Sequence, residues 1–233
     1  MKRVSVCLIT IFAALILFVS PILAQGVKYY FPEATDGQIS EAIGKIVPVR
    51  WLPSQPSYIL IRTKEVISRL FQASSAKRAE FDFVLSGKRL KEAYLLLDRG
   101  EVKQVNKTLQ RYSSKLNDVN NQLEKARSQN QDVTAQVAEM AEGFKNQEVL
   151  LFAISKKIGQ ISDPSLDQAF GDARSAFIRS VIVINNIMPG VKDRFKTVGD
   201  EEREATFSAI PTPSPEVMSL PASPSAKPRR IIY

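Results

Sequence analysis

Residues 102–126 read VKQVNKTLQRYSSKLNDVNNQLEKA, and this stretch decides the fold. Val102, Val105, Leu109, Tyr112, Leu116, Val119, Leu123 and Ala126 follow one another at alternating steps of three and four. A 3.5-residue apolar period kept up for about four heptads is the seam of a helix packed on other helices, and the alternation of a strand does not fit it. A polar break, Ser128-Gln129-Asn130-Gln131-Asp132, then leads to a second seam: Val133, Val137, Met140, Phe144, Leu151, Ile154, Ile158 and Ile161, with polar Gln147 at the one vacant position. So short a connection predicts an antiparallel hairpin in which the two long helices fold back on each other.

Working outward towards the C-terminus, Asp163-Pro164 reads as a helix start, an N-cap aspartate with proline at the first helical position. Leu166, Phe170, Ala173, Phe177, Val181, Ile184 and Ile187 give that helix an apolar stripe, and Met188-Pro189-Gly190 ends it. Towards the N-terminus, Ser74-Ser75 caps a helix that carries Ala79, Phe83, Leu90, Ala93, Tyr94 and Leu97, closed by Gly100. A shorter helix before it carries Ile59, Val66, Ile67, Leu70 and Phe71 on its apolar side, the side that in a bundle ordinarily faces the core. Thr35-Asp36-Gly37-Gln38 has the pattern of a capping box for a helix with Ile39, Ile43 and Ile46. The aromatic run Tyr29-Tyr30-Phe31 is expected to plug one end of the bundle. Gly87, Gly143, Gly159 and Gly171 fall within these helices, where they either permit close contacts or mark bends.

The resulting expectation is an all-α protein, an elongated antiparallel helical bundle with a long coiled-coil-like hairpin. The bundle domain spans residues 52–198, preceded by a lead-in at 25–51. Residues 1–24 have the form of an export signal: Lys2 and Arg3, an apolar run from Val4 to Val19, then Pro21 and Ala24 before a cleavage point at Gln25. An uncleaved anchor is the alternative, since the apolar stretch is long enough to span about 30 Å of hydrocarbon. Either reading places the rest of the chain outside the cytoplasm, secreted, periplasmic or held at the inner membrane. Residues 199–233, with six prolines among Ser, Thr and Ala from 208 onward, read as a disordered tail.

A further pattern precedes the hairpin. Leu52-Pro53-x-x-Pro56-x-Tyr58 leads to Arg62-x-Lys64-Glu65, then Ala76-Lys77-Arg78-Ala79-Glu80, then Lys88-Arg89-Leu90-x-Glu92-Ala93 and Gly100. Over roughly residues 50–125 this order resembles domain of unknown function family 5667, an uncharacterised domain of exported bacterial proteins. The resemblance implies an all-helical extracytoplasmic module, and it brings no activity, cofactor or catalytic residue.

Composition narrows the chemistry. The chain has no histidine, and its single cysteine, Cys7, lies in the N-terminal apolar run. A mature form without that run has neither thiol nor imidazole, which removes disulfides, Cys/His zinc sites, His- or Cys-ligated haem and His-activated nucleophiles. Ser74-Ser75-Ala76-Lys77 matches a Ser-x-x-Lys nucleophile motif but lacks the accompanying elements, and its serines serve as a helix cap. No cofactor is expected, and the reading is of a non-enzymatic scaffold or interaction module of the cell envelope. Its partner would be another envelope protein or a second copy, with membrane contact only through residues 1–24 if these are retained.

Charge supplies the alternative. Residues 58–130 hold 15 Lys/Arg against 8 Asp/Glu, while residues 131–200 hold 8 against 9. Lys88, Arg89, Lys91, Arg99, Lys103, Lys107 and Arg111 form a basic run that could bind an anionic polymer, DNA or a wall polyanion, or a protein partner.

Overall fold

The computed structural model describes residues 31–198. The expected export signal at residues 1–24, Tyr29, Tyr30 and the Pro-rich segment expected to be a disordered tail lie outside the described residues. Among the described residues the chain is all-helical with no strand: α1 (Asp36–Lys45), α2 (Tyr58–Leu70), α3 (Ser75–Asp98), α4 (Val102–Ser128), α5 (Thr134–Ile158) and α6 (Pro164–Ile187), followed by a 3-10 turn at Lys192–Arg194.

The helix ends follow their local chemistry. Thr35 and Gln38 form the capping box of α1, each side chain meeting the other residue's backbone N–H. Ser74 Oγ accepts from the Lys77 N–H at the start of α3, and Asp163 Oδ1 accepts from the Ser165 and Leu166 N–H groups at the start of α6. At the end of α3, Gly100 takes φ 70° while Glu101 N–H bonds to Leu96 O and Gly100 N–H to Leu97 O. This is a Schellman closure, which needs a left-handed residue at the position after the cap. Asn130, φ 54°, does the same after α4, with Gln131 N–H on Ala126 O and Asn130 N–H on Arg127 O.

Helices α3, α4, α5 and α6 form the bundle, and their order around its axis differs from the expected hairpin. Helix α4 packs side by side with α3 and α6; α5 packs on α3 and α6. The two seams that the periodicity picked out, on α4 and α5, therefore face each other diagonally across the core. The side-by-side hairpin is α3–α4, joined by the three residues Arg99-Gly100-Glu101. Both seams are buried except at their half-buried end positions Val102 and Ile161: Val105, Leu109, Tyr112, Leu116, Val119, Leu123 and Ala126 on α4 are fully covered, as are Val137, Phe144, Leu151 and Ile154 on α5. Periodicity could not separate the two arrangements, since adjacent and diagonal helices both point their seams at the bundle axis. Five residues, 129–133, bridge the diagonal; at about 3.5 Å per step they reach ~20 Å, more than the ~14 Å diagonal of helices spaced about 10 Å apart.

Four aromatic rings stack through the centre in edge-to-face steps: Phe83 to Phe144 at 4.8 Å, Phe144 to Phe177 at 5.5 Å and Phe177 to Phe195 at 5.9 Å. Phe31 reaches the core as well, its ring 5.8 Å from Phe170. Helix α1 lies on α5. Gln147, the vacancy in the second seam, is buried with its partners: Tyr112 Oη donates to Gln147 Oε1 at 3.0 Å, and Gln147 Nε2 donates to Ser86 Oγ at 3.2 Å. Burial holds the Tyr112 phenol far above its ordinary pKa, so it remains a donor. Gln147→Leu should cost about 1–2 kcal/mol by leaving that hydroxyl without an acceptor. Adding Tyr112→Phe should recover most of the loss in urea unfolding; no recovery would refute the network.

Candidate functional site

Helix α2 is where sequence expectation and structure part most sharply. Apart from half-buried Ile61, its apolar side chains do not face the bundle. Phe71 is 82% exposed, Leu70 74%, Ile59 71%, Leu60 67%, Val66 55% and Ile67 49%. The face turned to the bundle is polar instead: Tyr58, Arg62, Glu65 and Arg69, spaced four, three and four apart, a helical stripe as regular as any apolar one.

The reason lies on α3. Its side away from the core carries Asp82, Lys88, Arg89 and Glu92, all buried beneath α2. An apolar strap would strand Lys88 and leave Arg89, Glu92 and Asp82 with only their neighbours on α3 and α4, at the cost of desolvating incompletely paired charges. With the polar stripe inward, two charge-balanced clusters form. In the first, the fully buried Arg89 donates to both oxygens of Glu92 at 2.7 Å and pairs with Glu65 and the Tyr58 hydroxyl. Tyr58 Oη donates to Glu92 Oε2 at 2.9 Å, and Lys88 Nζ meets Glu65 Oε1 at 2.7 Å. The guanidinium groups of Arg89 and Arg111 lie 5.5 and 5.9 Å from the Tyr58 ring centre. In the second cluster Arg69 grips Asp82 through Nε, at 2.8 and 2.9 Å, and through Nη2, at 2.7 Å. Lys115 on α4 joins it, 3.0 Å from Asp82 and 2.7 Å from Asp118.

Burial raises the Glu92 carboxyl above the usual carboxylate range, opposed chiefly by Arg89. Burial, then the Glu92 charge, raises the Tyr58 phenol, which stays protonated and donates. For Arg89, desolvation is outweighed by Glu92, Tyr58 and Glu65, and the guanidinium is held more firmly charged. Asp82 likewise strengthens the charged state of Arg69.

The expected basic run is corrected by this geometry. Lys88 and Arg89 are not surface cations; they lie buried under α2 and are neutralised by Glu65 and Glu92. Lys91 turns to the C-terminal end of α1, where Nζ donates to Ile43 O at 2.7 Å and Ile46 O at 3.1 Å, and burial lowers its pKa. Arg111 is half-buried against Tyr58. Arg99, Lys103 and Lys107 remain exposed. The Ser-x-x-Lys motif is likewise occupied: Ser74 caps α3, and Lys77 Nζ pairs with Glu80 at 2.9 Å.

Sequence reasoning missed Tyr58, Glu65, Arg69, Asp82, Glu92 and Asp118 as one system. The signal was present as the polar 4-3-4 stripe on α2, but nothing in one sequence says which of two regular stripes meets the bundle.

Among the described residues, no helix is long and apolar enough to cross a membrane. No group of three His, Cys, Asp or Glu residues is placed among them to hold a metal. A shallow open groove between α4 and α6 is lined by Asn117, Asn120, Asn121, Glu124, Arg179, Ile182 and Val183.

The fold and the site define an all-helical bundle protein carrying an ion-paired strap helix with its apolar side outward. Residues 50–144 match the model of a family described as Domain of unknown function (DUF5667). The match runs from the Leu52 lead-in through the strap, α3 and α4 to Phe144 in α5. No curated protein and no solved structure matches the chain. The matched segment contains both charge clusters, and the motif residues Tyr58, Glu65, Lys88, Arg89 and Glu92 make up the first of them.

Proposed function

We propose that this protein is a non-enzymatic helical scaffold or interaction module of the bacterial cell envelope, acting outside the cytoplasm through the outer face of α2. One observation carries the reading: a four-helix platform holds six large apolar side chains into solvent along α2 and its C-cap residue Phe71. Exposed apolar patches of this extent mark interaction surfaces. The ion pairs below supply orientation, since a helix free to roll would bury that face.

A photo-crosslinking residue at position 67, compared with one at Gln110 on the exposed side of α4, tests it in cells. Adducts should form at 67 and not at 110; an unmodified chain at both positions would overturn the reading. The intact mass of the native protein from fractionated cells tests the compartment. A chain starting at Gln25 outside the cytoplasm, or at Met1 in the membrane fraction, is expected; soluble cytoplasmic protein starting at Met1 refutes it.

A second reading keeps the anionic polymer as ligand. Arg99, Lys103, Lys107 and Arg111 are spaced four apart, with the first three exposed. Retention on immobilised DNA should then fall steeply with salt and vanish with Lys103→Glu plus Lys107→Glu. Salt-independent retention would remove it.

A further inference from the structure

We propose that the outer face of α2 docks on an anionic lipid bilayer, with the helix lying in the plane of the interface. The proposal deepens the reading of α2 as the interaction element and rests on it.

The first support is shape. The 13-residue helix is about 20 Å long at 1.5 Å per residue. Ile59, Leu60, Val66, Ile67, Leu70 and Phe71 occupy one side of it, and the opposite side is tied to the bundle. That division is the one interfacial helices use to sink an apolar side roughly 5–10 Å into the headgroup boundary. Here the bundle takes the place that water holds for an isolated amphipathic helix.

The second is charge. From Trp51 to Gln72 the chain has one acidic residue, Glu65, and it is buried with Lys88 and Arg89. By helical position, exposed Lys64 rims the apolar face beside Leu60 and Phe71, while Arg62, at the border of the polar stripe, its side chain 37% exposed and 3.8 Å from buried Glu65, rims the other edge beside Val66. Apolar surface bordered on both edges by cations, with no exposed acid on the helix, complements anionic headgroups. It is a poor complement to a second copy. Two-fold pairing would set the same cations against each other, on chains that each carry a formal charge of +8.

The third is the type of side chain at the two ends. Phe71 follows the helix at one end, and Trp51, 38% exposed, stands on the approach to the other. Trp settles at the headgroup level, and Phe is common on the buried face of interfacial helices. This contact is additional to the one expected of residues 1–24.

The test uses the full-length chain with Trp51→Phe and Phe71→Trp, which moves the single tryptophan of the protein onto the outer face. It is mixed with vesicles of equal parts phosphatidylglycerol and brominated phosphatidylcholine. The N-terminal run can hold the chain on vesicles in every case, so the readout is the environment of position 71. Bromine should quench the indole at least twofold, and Leu60→Asp plus Ile67→Asp should abolish the quenching while the protein stays vesicle-bound with an unchanged melting temperature. An unquenched, water-exposed indole would overturn the lipid proposal, and with no adduct at position 67 in cells the interaction reading falls too. An unquenched but blue-shifted indole would overturn the lipid proposal alone. Dependence of that shift on protein concentration would assign the face to a second copy, and independence would assign it to another segment of the same chain.

Discussion

Arg89→Met is expected to lower folding stability by about 3–5 kcal/mol at neutral pH, the usual cost of stranding a buried charge. Arg89 is fully buried and sits between Glu65 and Glu92. Without it, Glu65 keeps Lys88 at 2.7 Å, but Glu92 keeps only the hydrogen bond from the Tyr58 hydroxyl and the weaker, more distant charge of Lys88. The loss should also depend on pH. Burial already raises the Glu92 carboxyl, and the opposing influence named first is Arg89. Removing the guanidinium must push that carboxyl higher still. A carboxyl whose folded pKa lies above its unfolded value, about 4.3 for glutamate, lets the folded state bind the proton more tightly. Stability is then greatest below the unfolded value and falls as pH rises through the folded one. The variant should therefore be most destabilised at pH 7–8 and approach the parent chain towards pH 5. Urea unfolding at several pH values reads this directly, and amide exchange should show α2 loosening before the bundle. Arg89→Met with Glu92→Leu and Tyr58→Phe removes the charges together and should recover most of the stability. A pH-independent loss, or no recovery, would refute the account of the cluster.

The second large effect is expected at a glycine. Gly143 on α5 lies where an added Cβ would meet Phe83 Cε1 at 2.6 Å and Cζ at 2.7 Å. The Phe83 ring cannot simply back away, because Phe144 packs against it at 4.8 Å and Phe177 backs Phe144 in turn. Gly143→Ala should gain helix propensity, about 1 kcal/mol, and lose more through overpacking. The net destabilisation should be about 2 kcal/mol, within the usual range for forcing methylenes into a filled core. Phe83→Leu in the same chain should relieve the clash, giving a favourable coupling of about 1 kcal/mol or more in a double-mutant cycle. Additive losses would show that α3 and α5 do not meet there. Sequence reading left open whether Gly143 marks a bend or a close contact. The ring of Phe83 answers for the contact, since it occupies the space a side chain would need.

Much of this architecture was legible in the chain. The seams on α4 and α5, the capping box at Thr35, the Ser74 and Asp163 caps and the Gly100 closure all rest on interactions within a few residues, and those appear in sequence as spacing. The site was less legible. In the sequence the basic run has the look of a surface, because Lys and Arg are normally solvated. Lys88 and Arg89 are buried because Glu65, over twenty residues earlier, folds across them. The same long-range pairing turned the apolar side of α2 outward against the ordinary rule that apolar stripes face the core.

The sequence by itself determined that the protein is helical, where the long helices begin and end, and which residues of α4, α5 and α6 are buried. It could do so because helix period and capping are local. Only the tertiary structure decided that α4 and α5 lie diagonally, and that the polar stripe of α2 faces in and its apolar stripe faces out. Both outcomes depend on which helix lies beside which. That choice is made by charges and ring contacts between residues far apart in the chain, and no periodicity records them.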